Sequence, residues 1–254
     1  MKVFAPVATG GFLIGLWYLA IHSGWVKPFL LPPPHTILLS IWENRLPMFQ
    51  AGLETFYAAT LGFLAAVFGG FTIAMLLSSN RWVKASFHPY VLIIQMTPII
   101  IITPIIGMWM DEALLRIVTI TFLISFFPVA ANTTLGLISI DKNLIDLFQV
   151  YGASRKQEIL LLRIPFALPN FLTGVKIAGT LAPIGAITGD FLLGTSRHPG
   201  LGYLVLTYRN SGQIPEMFGI AVVACLLGFL FVALVNAMHR LFLRSWHESA
   251  LPGD

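Results

Sequence analysis

The chain has 254 residues, of which 57% are hydrophobic and only 10% charged. Soluble domains carry roughly 25% charged residues, so this composition excludes an ordinary soluble enzyme, and a mean hydropathy of +0.83 excludes a disordered chain. The 15 Lys and Arg against 11 Asp and Glu leave +4, which fits basic loops at an anionic membrane surface rather than a nucleic-acid groove.

Charge-free runs at 3–21, 55–80, 89–110, 117–140 and 217–238, and a sixth run interrupted by two charges, mark the spans in chain order. Each is near the ~20 apolar residues that cross a bilayer, and in lipid the backbone must satisfy itself as helix. The first covers about 3–22. Ala20-Ile21-His22 offers no small-x-small cleavage site, so this segment reads as a retained helix rather than a signal peptide. Leu31-Pro-Pro-Pro34 follows it and is expected to be extended. The second span, 54–79, carries Ala58, Gly62, Ala66, Gly70 and Ala74 at every fourth position. That spacing reads as close packing between helix backbones.

The third span, 90–110, holds Gln95, Thr97 and Pro98, then Thr103-Pro104. Its polar side chains either satisfy carbonyls released by the prolines or meet a polar solute. Asp111 and Glu112 precede the fourth span, 114–137, where acids favour a helix start through its dipole. The fifth, 171–194, is interrupted by Lys176 and Asp190, and the sixth covers 216–239. The expected class is therefore all-α, a single polytopic membrane domain over 1–254 with about six transmembrane helices.

Six spans put both termini on one side. With the N-terminus inside, ten Lys and Arg fall on the inner side and five on the outer, which favours cytoplasmic termini. The inner side then holds the longest polar connection, 138–170. Asp141 is placed to cap a short helix running to Tyr151, and Gly152 to end it in a left-handed conformation. Ser154-Arg-Lys-Gln157 has capping-box spacing and starts a second short helix. Pro165 and Pro169 are expected to limit that helix and set the angle into the fifth span. The bland alternative is an interfacial hairpin resting on lipid.

At this loop the chain resembles the inner-membrane permease subunits of binding-protein-dependent ABC importers. Asp146-Leu147-Phe148, Gly152-Ala153, Arg163-Ile164-Pro165 and Leu168-Pro169 follow that family's Glu-Ala-Ala…Gly pattern. The first acid is shortened to Asp, and larger residues replace both alanines. Leu31-Pro-Pro-Pro34, Gln95-Met-Thr-Pro98, Gly189-Asp190-Phe191 and Gly200-Leu-Gly-Tyr203 extend the likeness over most of the chain. The branch that fits best transports nitrate, sulfonates, taurine and thiamine precursors. Ala182-Pro-Ile-Gly-Ala186 is most similar to permeases for pyrimidine precursors of thiamine.

The resemblance implies a permease dimer in the bacterial inner membrane, a homodimer by expectation. It also implies two ATP-binding subunits that hold ATP and Mg, and an external solute-binding protein. The loop would be the coupling helix, with Asp146, Leu147, Phe148, Gly152, Ala153, Ser154, Pro165 and Pro169 forming the ATPase-coupling element. No G-x-x-x-x-G-K-[ST] occurs in the chain, so ATP hydrolysis is expected on a partner.

Pathway candidates are Gln95, Thr97, Pro98, Pro183 and Asp190. Pro183 removes a backbone bond and is expected to kink the fifth span, with Asp190 on the same face. Asp190 has two readings, a hydrated interfacial acid or one that lines a pathway or structures a gate. The six histidines show no paired ligand spacing and Cys225 is the single cysteine, so no metal site, disulfide or catalytic role is expected. His198-Pro199-Gly200 reads as a turn first and a binding-protein contact second. The rival functional classes are a stand-alone secondary transporter or channel, which would need intramembrane ionisable relays or inverted repeats, and a non-transporting scaffold.

Overall fold

The computed structural model describes residues 4–27, 29–79, 82, 86, 89, 93 and 96–243. Among these residues there is no strand, and the chain is an all-α polytopic membrane protein. Its helices are α1 (Phe4–His22), α2 (Pro34–Glu43), α3 (Arg45–Ser79), α4 (Ile99–Trp109), α5 (Ala113–Ile138) and α6 (Lys142–Val150). They continue with α7 (Arg155–Gln157), a π-helical turn (Glu158–Arg163), α8 (Ile164–Leu193), α9 (Leu201–Asn210) and α10 (Ile214–Leu243). Five helical stretches among the described residues are long and apolar enough to cross a membrane: Phe4–His22, Arg45–Ser78, Ala113–Ile138, Arg155–Leu193 and Ile214–Arg240. Of the expected third span, the helix described is Ile99–Trp109; Gln95 lies outside the described residues.

Helix α5 lies against both α3 and α8, and α10 packs on α8 and α3. Small residues make this possible. Ala58 and Ala59 of α3, Val129 of α5, Ala178, Ala182 and Ala186 of α8, and Phe231 and Val235 of α10 share one buried cluster. A Cβ on Gly70 would stand 2.7 Å from Val129 Cβ, and one on Gly174 would stand 2.7 Å from the Pro128 carbonyl oxygen. Neither position has room for a side chain, so the fourfold spacing of small residues in α3 and α8 works as helix packing. Phe231 fills the remaining gap edge-on to Phe56 and Phe63, at 5.5 and 5.7 Å between ring centres.

Three local expectations are corrected. Pro33 is extended at φ −60° and ψ 145°, but Pro34 starts α2 as its first residue, where proline's missing N–H has no helical partner to lose. Helix α3 begins at Arg45 rather than near residue 54. Met48 and Ala51 of its first turns are buried with Leu201, Ile220 and Leu227.

The third correction concerns the prolines of the 138–170 connection. Pro165 and Pro169 do not limit a short helix, because the helical path runs through both of them into α8. The turn just before them is π-helical, with the Ile164 N–H donating to the Ile159 carbonyl five residues back. Bonding there is already out of α register, so Pro165 enters at the start of α8 and breaks no regular ladder. Arg163 Nε donates to Glu158 Oε1 at 2.7 Å, linking the two ends of the π turn.

Candidate functional site

The two ends of α8 carry the chemistry. At its C-terminal end Asp190 is 1% exposed although it bears a carboxylate. Its Oδ2 accepts the Tyr203 N–H at 2.7 Å, and its Oδ1 accepts the Gly200 N–H at 3.3 Å. Between them, the Leu201 N–H donates to Thr55 Oγ1 of α3 at 2.9 Å. These are the opening N–H groups of α9, whose N-cap Gly200 has no side chain to serve them. Asp190 and Thr55 therefore cap α9 from two other helices. The favourable interaction of a carboxylate with a helix N-terminus adds to the hydrogen bonds.

Glycines make that approach possible. A Cβ on Gly200 would lie 2.5 Å from Asp190 Oδ2, and one on Gly202 would run into the Ile187 carbonyl. The Gly200-Leu-Gly-Tyr203 element is thus the socket into which the end of α8 fits. Asp190 is not a hydrated interfacial acid; it is a buried anchor for the 194–200 loop and α9.

A cavity of about 700 Å³ opens beside this anchor, between the first turns of α3, the start of α5 and the 194–200 loop. Gln50, Glu54, Glu112, Arg197 and His198 line it, with Asp190 reaching its wall. His198 Nδ1 stands 3.4 Å from Glu54 Oε1, so the loop is tied to α3 at the cavity edge. Among the other pathway candidates, Pro183 is buried inside α8 and Thr97 donates its hydroxyl to the Ile93 carbonyl at 2.9 Å. Pro98 caps α4 in an extended conformation. None of these three lines the cavity. Glu54, Thr55 and Arg197 carry no local sequence signal, because their relation to Asp190 and Gly200 exists only after three helices have packed.

At the other end of α8, a path of about 45 Å at 1.5 Å per residue, stands the hairpin of α6 and α7. Asp141 Oδ1 accepts the Asn143 N–H at 2.9 Å and caps α6. Gly152, at φ +68°, ends the helix. Its N–H donates to Gln149 O at 2.9 Å, and the Ala153 N–H donates to Phe148 O at 3.0 Å. This pair of bonds is a Schellman ending, which brings Ala153 and Phe148 together where both are half-buried. Ser154 and Gln157 form the expected capping box.

The hairpin therefore folds as its sequence predicts. Leu147, Val150 and Tyr151 remain exposed on it, at 49%, 83% and 82%, and Asp146 is exposed beside them. Pro165 and Pro169, in α8, are half-buried behind the π turn.

The family model for the binding-protein-dependent transport system inner membrane component matches residues 58–248. The chain belongs to this family. It is 30% identical to the formylaminopyrimidine transport permease protein ThiX of Halalkalibacterium halodurans, over 85% of this chain and 86% of that one. It is 29% identical to the riboflavin transport system permease protein RibX of Chloroflexus aurantiacus, covering 93% and 88% of the two chains. The taurine transport system permease protein TauC of Escherichia coli matches at 25% identity over 97% and 90%. Among solved structures, a chain of an amino acid ABC transporter crystallised with histidines superposes with a TM-score of 0.61 at 18% identity, over 80% of this chain and 96% of that one. That likeness establishes the fold alone. The permease is an ABC importer subunit of the translocation pathway, and its relatives are transport proteins rather than enzymes.

Proposed function

We propose that this permease works as a dimer, passes a small polar solute into the cell, and takes its energy from two ATP-binding subunits. Those subunits hold ATP and Mg. A solute-binding protein delivers the solute to the outer face, and both termini and the 138–170 connection lie in the cytoplasm. The solute belongs to the group carried by the named relatives, with an aminopyrimidine first among them by the 30% identity to ThiX.

The observation that carries this reading is the α6–Gly152–α7 hairpin. It is a rigidly capped, exposed unit with unburied apolar side chains, joined to α8 through a π turn. Leu147, Val150 and Tyr151 then enter a groove on the ATPase, and Asp146 flanks them. Tilting of the hairpin acts through α8 on Asp190, α9 and the cavity. What weighs against a stand-alone secondary transporter is the family match over 58–248 together with the ABC permease relatives.

The reading is tested by co-purification of the ATPase subunit with the tagged permease. Leu147→Glu, at an exposed position, should lower ATPase recovery without lowering permease abundance in the membrane. Equal recovery from the parent and the variant would exclude the hairpin as the docking element.

A further inference from the structure

The cavity beside Asp190 has a charge pattern that the coupling reading does not use. Its volume of about 700 Å³ falls in the range that holds a small organic molecule. Gln50 and Glu54 come from α3, Glu112 from the N-cap of α5, and Arg197 and His198 from the loop anchored by Asp190 and Thr55. Asp190 turns both oxygens to α9, so the carboxylates offered to a ligand are Glu54 and Glu112. Arg197 is the single arginine in the lining, and His198, also in the lining, has its Nδ1 3.4 Å from Glu54 Oε1. Most of the remaining wall is apolar, from Leu53, Ala58, Leu114 and Leu204.

We propose that this cavity is the entry site for the transported solute. Glu54 and Glu112 select a solute that is cationic or rich in N–H donors, such as an amino-substituted heterocycle, over a sulfonate or nitrate anion. This rests on the import reading above and narrows its substrate class. Two carboxylates in the same lining accept hydrogen bonds from amino groups, while apolar walls cover the faces of a flat ring. A permanent anion entering the same space would lose its water and gain one cation against two like charges. Apolar walls also focus the field at the mouth, so its sign governs which solutes accumulate there.

The experiment uses the full permease with its ATPase in sealed, right-side-out membranes, without ATP. Gln50→Cys is made in a Cys225→Ser background, both at exposed positions. Its labelling rates are measured with cationic 2-(trimethylammonium)ethyl methanethiosulfonate and anionic 2-sulfonatoethyl methanethiosulfonate. Each rate is divided by that of a free small thiol with the same reagent. The cationic reagent should be favoured by about tenfold, and adding Glu54→Gln with Glu112→Gln should return the ratio to that of the free thiol.

Equal normalised rates, preference for the sulfonate, or a cysteine unreactive to both reagents would each overturn the proposal. The ratio is read without transport, so it stands or falls apart from ATP coupling. In the energised system, faster uptake of taurine than of formylaminopyrimidine would overturn the selectivity while leaving the importer reading intact.

Discussion

Tyr203, at the third position of α9, donates its backbone N–H to Asp190 Oδ2 at 2.7 Å. A carboxylate near the end of one spanning helix thereby serves as the missing cap of another helix. Gly200 supplies the space for it and a second N–H at 3.3 Å. The carboxylate thereby ties the end of α8 to the 194–200 loop and the start of α9.

Removing that carboxylate leaves buried donors unsatisfied. Asp190→Ala is expected to destabilise the protein by about 1–3 kcal/mol, the usual cost of orphaning a buried polar group. Asp190→Asn, which keeps one acceptor oxygen, should lose less. Thermal unfolding in detergent reads both variants; an Asp190→Ala protein that melts with the parent would show that the cap does not hold α9.

Close packing gives a second measurable cost. Gly174→Val would push a side chain onto the Pro128 carbonyl and Asn132, which stand 2.7 and 3.1 Å from the position of a Cβ. Overpacking of this kind costs about 1–3 kcal/mol. Gly228, where a Cβ meets nothing within 4 Å, is the matched control. Membrane abundance and melting should fall for Gly174→Val and fall much less for Gly228→Val.

Topology is tested by access. A tag appended to the C-terminus should be protected from external protease in intact cells, and Ser211→Cys should be labelled from outside. Reversal of both results would overturn the sidedness and the coupling assignment with it.

Legibility in the sequence followed the range of the interactions. The α6–α7 hairpin is written locally, because Asp141, Gly152, Ser154 and Gln157 act within a few residues of themselves. Five of the spans were legible from apolar length among the described residues, and the small-residue step in α3 from its spacing. What could not be read is the socket at Asp190. Thr55 lies 146 positions before Leu201, and only packing of α3 on α9 brings them together. Helices α2 and α9 are each short and amphipathic, so no apolar run marks them. The passage through Pro165 has no sequence signal, because a π turn leaves no pattern of hydrophobic residues.

The central claim is that the α6–Gly152–α7 hairpin transmits ATP hydrolysis to the pathway, and Gly152→Val with Gly152→Asn tests it most directly. A Cβ at Gly152 meets nothing within 4 Å, so the cost comes from φ +68° alone. It amounts to about 1–2 kcal/mol in the left-handed region for most residues and less for Asn. The measurement is ATP-dependent solute uptake per membrane-inserted permease, alongside ATPase co-purification. Gly152→Val is expected to insert normally while losing ATPase and uptake together, and Gly152→Asn to retain most of both. Parental uptake and ATPase recovery in Gly152→Val would contradict the account.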